Sequence, residues 1–336
     1  MKANYYFLLI LIFFSCRNSS GPDVSNIKID LQTTHFEKDF FALDSNRLAR
    51  EYPSLLEKYP SFAENFLTTI LNADPRWGGD TLQKYLQGFS AAYRPVYDTS
   101  LKVFSNFKPY EAEIKKGLQY VKYYFPKYVV PHKIITYIGP LDGYGDILIP
   151  QEAIIVGLHQ HLGSQFSLYK TIWVQETYPD YITQRFAPGY IGINAMKNML
   201  NDLYPEKQDE RTLILQMIAK GRRLYALQML VPAEEEFKLI GYTEKQMKES
   251  YAHEAAIWDL FVQNNFLQTL DNNIIKNYIG ESPKTQELGD GSPGNIGSFS
   301  GWQLVKKYMK EKPGTTLPQL MQMSEEEILQ EAKYKP

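Results

Sequence analysis

The chain is predicted to fold as a mainly α (α+β) domain in which helices surround one small β-sheet. Three observations predict this. Apolar residues recur at spacings of three and four over most of the length, the pattern of one buried helix face. A single stretch, Tyr128 to Val156, departs from that period and is rich in Val, Ile and Tyr. Hydrophobic residues make up 44% of the 336-residue chain and aromatic ones 14%, enough to build a core and too many for a disordered chain.

The N-terminus comes first and reads as targeting rather than fold. Lys2 precedes the apolar run Tyr5 to Phe14, which is too short to span a bilayer, and the small Ser15 stands just before Cys16. Residues 1–15 are therefore expected to be a secretory signal peptide. Phe13-Phe14-Ser15-Cys16 resembles the lipobox of bacterial lipoproteins. That resemblance implies cleavage before Cys16 and acylation of its thiol and new amine with palmitate-type chains; the competing reading is an ordinary signal residue lost on cleavage. Each buried methylene contributes roughly 0.8 kcal/mol, so three acyl chains hold a protein on a membrane without help from a basic patch. Residues 16–25 read as a lipidated tether, and residues 26–336 as one domain with no further linker. Cys16 is the single cysteine, so stability must come from the core rather than from an internal disulfide.

Along the domain, Tyr110, Ile114, Leu118, Val121 and Phe125 mark one face of a helix that ends at Pro126. Tyr128 to Ile138, Ile147 to Ile149 and Ala153 to Val156 are strand-like runs, with a turn at Asp142-Gly143, and are expected to form a small meander. The helical period returns in Thr212 to Leu230, Thr243 to Phe261 and Gly301 to Met309. Thr243 with Gln246, Ser300 with Gln303 and Ser324 with Glu327 have capping-box spacing. Gly280 to Gly301, rich in Gly, Ser and Pro but anchored by Phe299, reads as an ordered loop leading to a helix near Ser300.

Which residues carry chemistry? The charge is balanced, with 36 basic and 38 acidic residues and a net charge of -2, which suggests neither nucleic acid nor anionic lipid as a partner. His159 and His161 are weak metal candidates, since positions two apart on a strand share a face, but no third ligand stands at a motif-like offset. His253-Glu254 begins like H-E-x-x-H, and Ile257 occupies the second His position, so no zinc chelate forms there. No cofactor is expected. No Gly-x-Ser-x-Gly elbow appears, and Gly289 to Gly301 lacks the Lys of a phosphate loop. Exposed amides at the helix start near Ser300 offer an anion site, with capping by Ser300 the simpler fate. Lys220 and Glu254 both fall on apolar stripes of their helices; snorkelling of the Lys220 ammonium to the surface is the simpler fate, and a buried ion pair between the two is the sharper alternative.

Several strings together resemble the gliding-motility lipoprotein GldB family of Bacteroidota. They are Lys220-Gly221-Arg222-Arg223-Leu224-Tyr225, Gly241-Tyr242-Thr243, Glu254-Ala255-Ala256-Ile257-Trp258, Ser292-Pro293-Gly294-Asn295-Ile296-Gly297, Gly301-Trp302-Gln303 and the Tyr334 to Pro336 terminus. Lys220, Gly221, Tyr225, Glu254, Trp258, Gly294, Gly297 and Trp302 are the resulting candidate structural or interaction residues; none is assigned as catalytic. Leu158-His159-Gln160-His161-Leu162-Gly163 stands where the family has Leu-Asp-x-Tyr-Leu-Gly. The family is in turn distantly similar to gluzincin-type zinc peptidases. By order along the chain, their two zinc-holding helices correspond to Tyr190 to Leu200, which has neither His nor Glu, and to Lys220-Gly221. The resemblance thus implies a peptidase-like scaffold without its metal centre. It also implies a lipid-anchored envelope protein that supports gliding with envelope partners; Arg17 to Gly21 lacks the acidic residues that follow the cysteine of lipoproteins exported to the outside, which points to a periplasm-facing anchor on either the inner or the outer membrane. A zinc peptidase and a cell-wall or glycan-binding module are the alternatives.

Overall fold

The change of period near residue 130 marks the sheet, and helices built from the flanking stripes cover it. The computed structural model describes residues 21–206, 210–289 and 291–336; the expected signal segment and Cys16 lie outside the described residues. Strand β1 (Gln32–His35) leads directly into helix α1 (Phe36–Ala42), and two long helices follow, α2 (Gly79–Val103) and α3 (Lys108–Tyr124). Next come β2 (Lys133–Tyr137), β3 (Ile147–Ile149) and β4 (Ala153–Gly157). The main C-terminal helices are α4 (Ile191–Leu203), α5 (Leu213–Leu230), α6 (Glu244–Ala252), α7 (Glu254–Gln263), α8 (Ile296–Glu311) and α9 (Glu325–Ala332).

The sheet is not a meander. Its order is β1-β2-β4-β3, with β1–β2 and β2–β4 parallel and only β3–β4 antiparallel. The chain leaves β2, passes to the outer edge as β3, and turns back at Gln151 (φ 63°) to insert β4 beside β2. All five residues of β4 are buried, as a strand covered on both faces should be, which is why it reads as an unbroken apolar run. Pro131 lies inside the expected Tyr128 to Ile138 strand and cannot donate to a ladder, so β2 starts only at Lys133. β1 has no apolar residue and gives no pattern to read.

Helix α3 ends where Pro126 requires, and Ile114, Leu118 and Val121 on its predicted face are fully buried. The expected helix Thr243 to Phe261 is two: backbone angles of -117° and 22° at His253 separate α6 from α7. Thr243 and Gln246 form both arms of a capping box, and Ser324 accepts the Glu327 N–H at 3.2 Å. Ser300 caps nothing. Helix α8 begins earlier, at Ile296, because Asn295 adopts a left-handed turn (φ 58°) fixed by its side chain accepting the Gly280 N–H, and this leaves Ser300 buried inside the helix. No helix among the described residues is long and apolar enough to cross a membrane.

Candidate functional site

Helices α5 and α8 form the most extensive helix pair of the molecule, and they meet backbone to backbone. A methyl group on Gly221 would overlap the Gly301 carbonyl, and one on Gly301 would overlap that of Met217. Glycine alone fits either position. One turn earlier on α8, a methyl on Gly297 would stand 2.8 Å from the Tyr278 carbonyl oxygen, which accepts the Gly297 N–H at 2.8 Å. Trp302 follows at the crossing with no exposed surface, and the Lys306 ammonium lies 4.1 Å from its ring centroid. Lys306 is itself tied to Glu236 at 2.5 Å. Tyr225, farther along α5, is half-buried against the core.

The two histidines occupy a buried polar cluster at the end of β4. Gly139 N–H donates to His159 Nδ1 (3.0 Å), which leaves the proton on Nε2 to donate to the Tyr144 carbonyl (2.9 Å). Burial drives the His159 pKa down to about 4 against the Tyr144 carbonyl and the Asp146 charge, so the ring is neutral. His161 Nδ1 donates to the Ala187 carbonyl (3.2 Å) and Nε2 to Asp146 (2.8 Å). Burial opposes its charge, but the Asp146 carboxylate reverses that and raises the His161 pKa. Burial likewise opposes ionisation of Asp146; the charge and hydrogen bond of His161, the Asn194 amide (3.0 Å) and the Gly157 N–H (2.9 Å) outweigh it and lower its pKa. The result is an imidazolium–carboxylate pair beside a neutral imidazole. Every ring nitrogen of both histidines is engaged, and the described residues contain no group of three or more His, Cys, Asp or Glu placed to hold a metal.

A pocket of about 280 Å³ lies between α4, α5 and the start of α8. Leu200, Leu224, Leu227, Leu239 and Ile240 make its apolar wall; Arg185, Lys197, Lys220 and Arg223 supply four cations against the carboxylates of Glu206 and Glu281. Lys220 binds Glu206 at 2.7 Å, Arg223 reaches the same carboxylate at 3.2 Å, and Arg185 binds Glu281 at 2.9 Å. Lys197 has no hydrogen bond or ion pair among the described residues. Burial, reinforced by Arg185 and opposed by Glu281, lowers its pKa to about 8. A wider groove, which also runs past Glu325, shares Glu206, Lys220 and Arg223 with this pocket.

The Lys220–Glu254 ion pair is absent. Lys220 turns to Glu206 at the surface, while Glu254, which opens α7 after the break at His253, accepts the Tyr334 hydroxyl at 2.5 Å. Helix α8 packs against both α5 and α7, whose own contact is slight. The distant strings of the sequence instead meet in pairs. Gly221 meets Gly301; the Tyr242 hydroxyl donates to the Gly294 carbonyl at 3.0 Å; Trp258 packs edge-on against Tyr334 with ring centroids 4.9 Å apart. A family model described as gliding motility protein GldB matches residues 17–336. The chain belongs to that family. Neither a curated protein nor a solved structure matches it.

This GldB-family chain carries two inward-facing charged groups, one buried and one half-buried, that sequence reasoning passed over. Asp146 sits in Asp142-Gly143-Tyr144-Gly145-Asp146, a stretch whose turn residues mask the one carboxylate that points inward. Lys197 did leave a signal. It stands four after Ile193 and three before Leu200 on the buried stripe of α4, the same anomaly that singled out Lys220.

Proposed function

We propose that this gliding-motility-related protein is a lipid-anchored component of the cell envelope that acts by contact and assembly rather than by catalysis. One observation carries the reading: the distant strings that make the family recognisable meet in pairs, Gly221 with Gly301, Tyr242 with Gly294 and Glu254 with Tyr334, which fixes the shape of the domain rather than assembling a reactive centre. The engaged nitrogens of His159 and His161 agree with it. The two segments that would correspond, by order along the chain, to the zinc helices of gluzincin-type peptidases also fit it: both line one pocket, and both bring a lysine there.

The anchor would hold the domain close to its membrane. Val24 is fully buried and Gln119 Nε2 donates to the Ile27 carbonyl at 2.8 Å, so the fold is under way within eight residues of Cys16, a stretch that can extend at most roughly 28 Å. The lack of acidic residues in Arg17 to Gly21 supports a periplasm-facing position. The test is deletion with complementation in a gliding host. Loss of colony spreading, restored by the parent gene and by no Cys16→Ser copy, together with co-purification of envelope proteins, is the expected result. Stoichiometric zinc retained through dialysis, with chelator-sensitive peptide cleavage, would overturn the non-catalytic reading.

A further inference from the structure

We infer that the pocket between α4, α5 and the start of α8 binds a small organic anion, a carboxylate head on a short apolar body, with Lys197 as the group that meets the head. The charge pattern argues for it. Four cations face two carboxylates, and the three that have partners take up both carboxylates, so the surplus falls on the one ammonium with no partner among the described residues. A half-buried ammonium with no ion pair or hydrogen bond of its own is costly, and an anion at that point offsets the cost. The wall argues for the apolar body. Leu200, Leu224, Leu227, Leu239 and Ile240 line the pocket together with the charges, and a free inorganic ion would leave that apolar surface wet. The glycine crossing helps to hold this geometry: Lys220, Arg223, Leu224 and Leu227 lie on α5, and Ser298 on α8, to either side of Gly221 and Gly301. The inference depends neither on the lipid anchor nor on a motility role.

Isothermal titration calorimetry of the full chain in non-ionic detergent tests it, with hexanoate as probe and hexanol, hexylammonium and inorganic phosphate as comparisons. Hexanoate is expected to bind one to one, at least about tenfold tighter than the neutral or cationic analogue. Lys197→Met should weaken it by about tenfold or more, Lys197→Arg should largely restore it, and Lys307→Met on the outer surface of α8 should leave it unchanged. If Lys197→Met fails to fold, the parent protein still decides. Lys197 is faced by Arg185, Glu281, Lys220, Arg223 and Glu206, and it loses its proton near pH 8, so affinity should fall between pH 7 and 9. Hexanol binding as well as hexanoate, a folded Lys197→Met protein binding at parental strength, or a flat profile over that range each overturns the anion site. Phosphate binding more tightly than hexanoate overturns the apolar half.

Discussion

The core is built in two different ways at its two ends. Around the sheet, Phe36, Phe62, Phe66 and Tyr137 interlock mostly edge to face, with Phe36–Phe62 centroids 4.9 Å apart at 90° and Phe66–Tyr137 at 6.1 Å and 85°. At the α5–α8 crossing, two backbones touch through Gly221 and Gly301 with no side chain between them. Rings solve a volume problem that other large apolar residues solve nearly as well. The crossing has a single solution. That difference explains why one end of the chain contributes composition and the other a spaced signature.

The largest expected effect uses one substitution at two places. Gly301→Ala should destabilise the protein by at least ~3 kcal/mol or prevent folding, since the new methyl meets backbone that cannot turn aside. Gly88→Ala, on the exposed face of α2 with nothing within 4 Å of the new carbon, should stabilise by up to ~1 kcal/mol. Denaturant midpoints of the two variants check the pair, and like signs would dissolve the contrast between the crossing and an ordinary helix.

The buried histidines extend the comparison to polar groups. The folded His159 pKa of about 4 lies below the unfolded value of 6.5, so the unfolded chain takes up the proton first and stability falls as pH drops through that window, by ~3 kcal/mol in all. His161 has the opposite sign. Its raised pKa contributes stability that is complete below pH 6.5 and is lost as pH climbs through the folded value. Asp146, lowered, withdraws its contribution only in acid below its ordinary 3.8. Melting temperature should therefore peak near pH 6.5, with His161→Asn flattening the alkaline limb. A level profile from pH 4.5 to 6.5 would show that His159 is not held neutral inside.

Smaller still is the change expected at the aromatic end. Phe66 is fully buried, yet Phe66→Leu keeps most of its volume and meets side chains rather than backbone, and should cost ~1 kcal/mol. A loss as large as that from Gly301→Ala, measured by the same denaturant midpoint, would mean that the ring cluster is as exacting as the crossing.

What the sequence revealed follows the same division. The stripe of α3, the start of α5 and the Thr243 cap were legible because each is decided within a few residues. The mainly helical class and the family were legible as well, the latter because glycine at a helix crossing admits no substitute. β1 and the parallel order of the sheet were not, since β1 shows no apolar alternation and the pairing of β2 with β4 is decided by where the chain returns. The start of α8 was misplaced by one turn because Ser300 mimics a cap that Asn295 supplies through a left-handed backbone. Lys220 reaches the surface, as the snorkelling reading has it, whereas the inward-facing reading of Glu254 takes α6 and α7 as one helix. The break at His253 breaks the phase.

That last error sets the smallest prediction. Lys220 ends at Glu206 and Glu254 at Tyr334, with α8 lying against both helices, so the two side chains have no shared partner. In a double-mutant cycle, Lys220→Met and Glu254→Gln should add within ~0.5 kcal/mol. Glu254→Gln should instead couple to Tyr334→Phe by ~1 kcal/mol, because a carboxylate acceptor strengthens the hydroxyl bond that both changes remove. Coupling to Lys220 as strong as that to Tyr334 would mean that α8 transmits strain between its two neighbours, and the crossing would then be a mechanical link as well as a close fit.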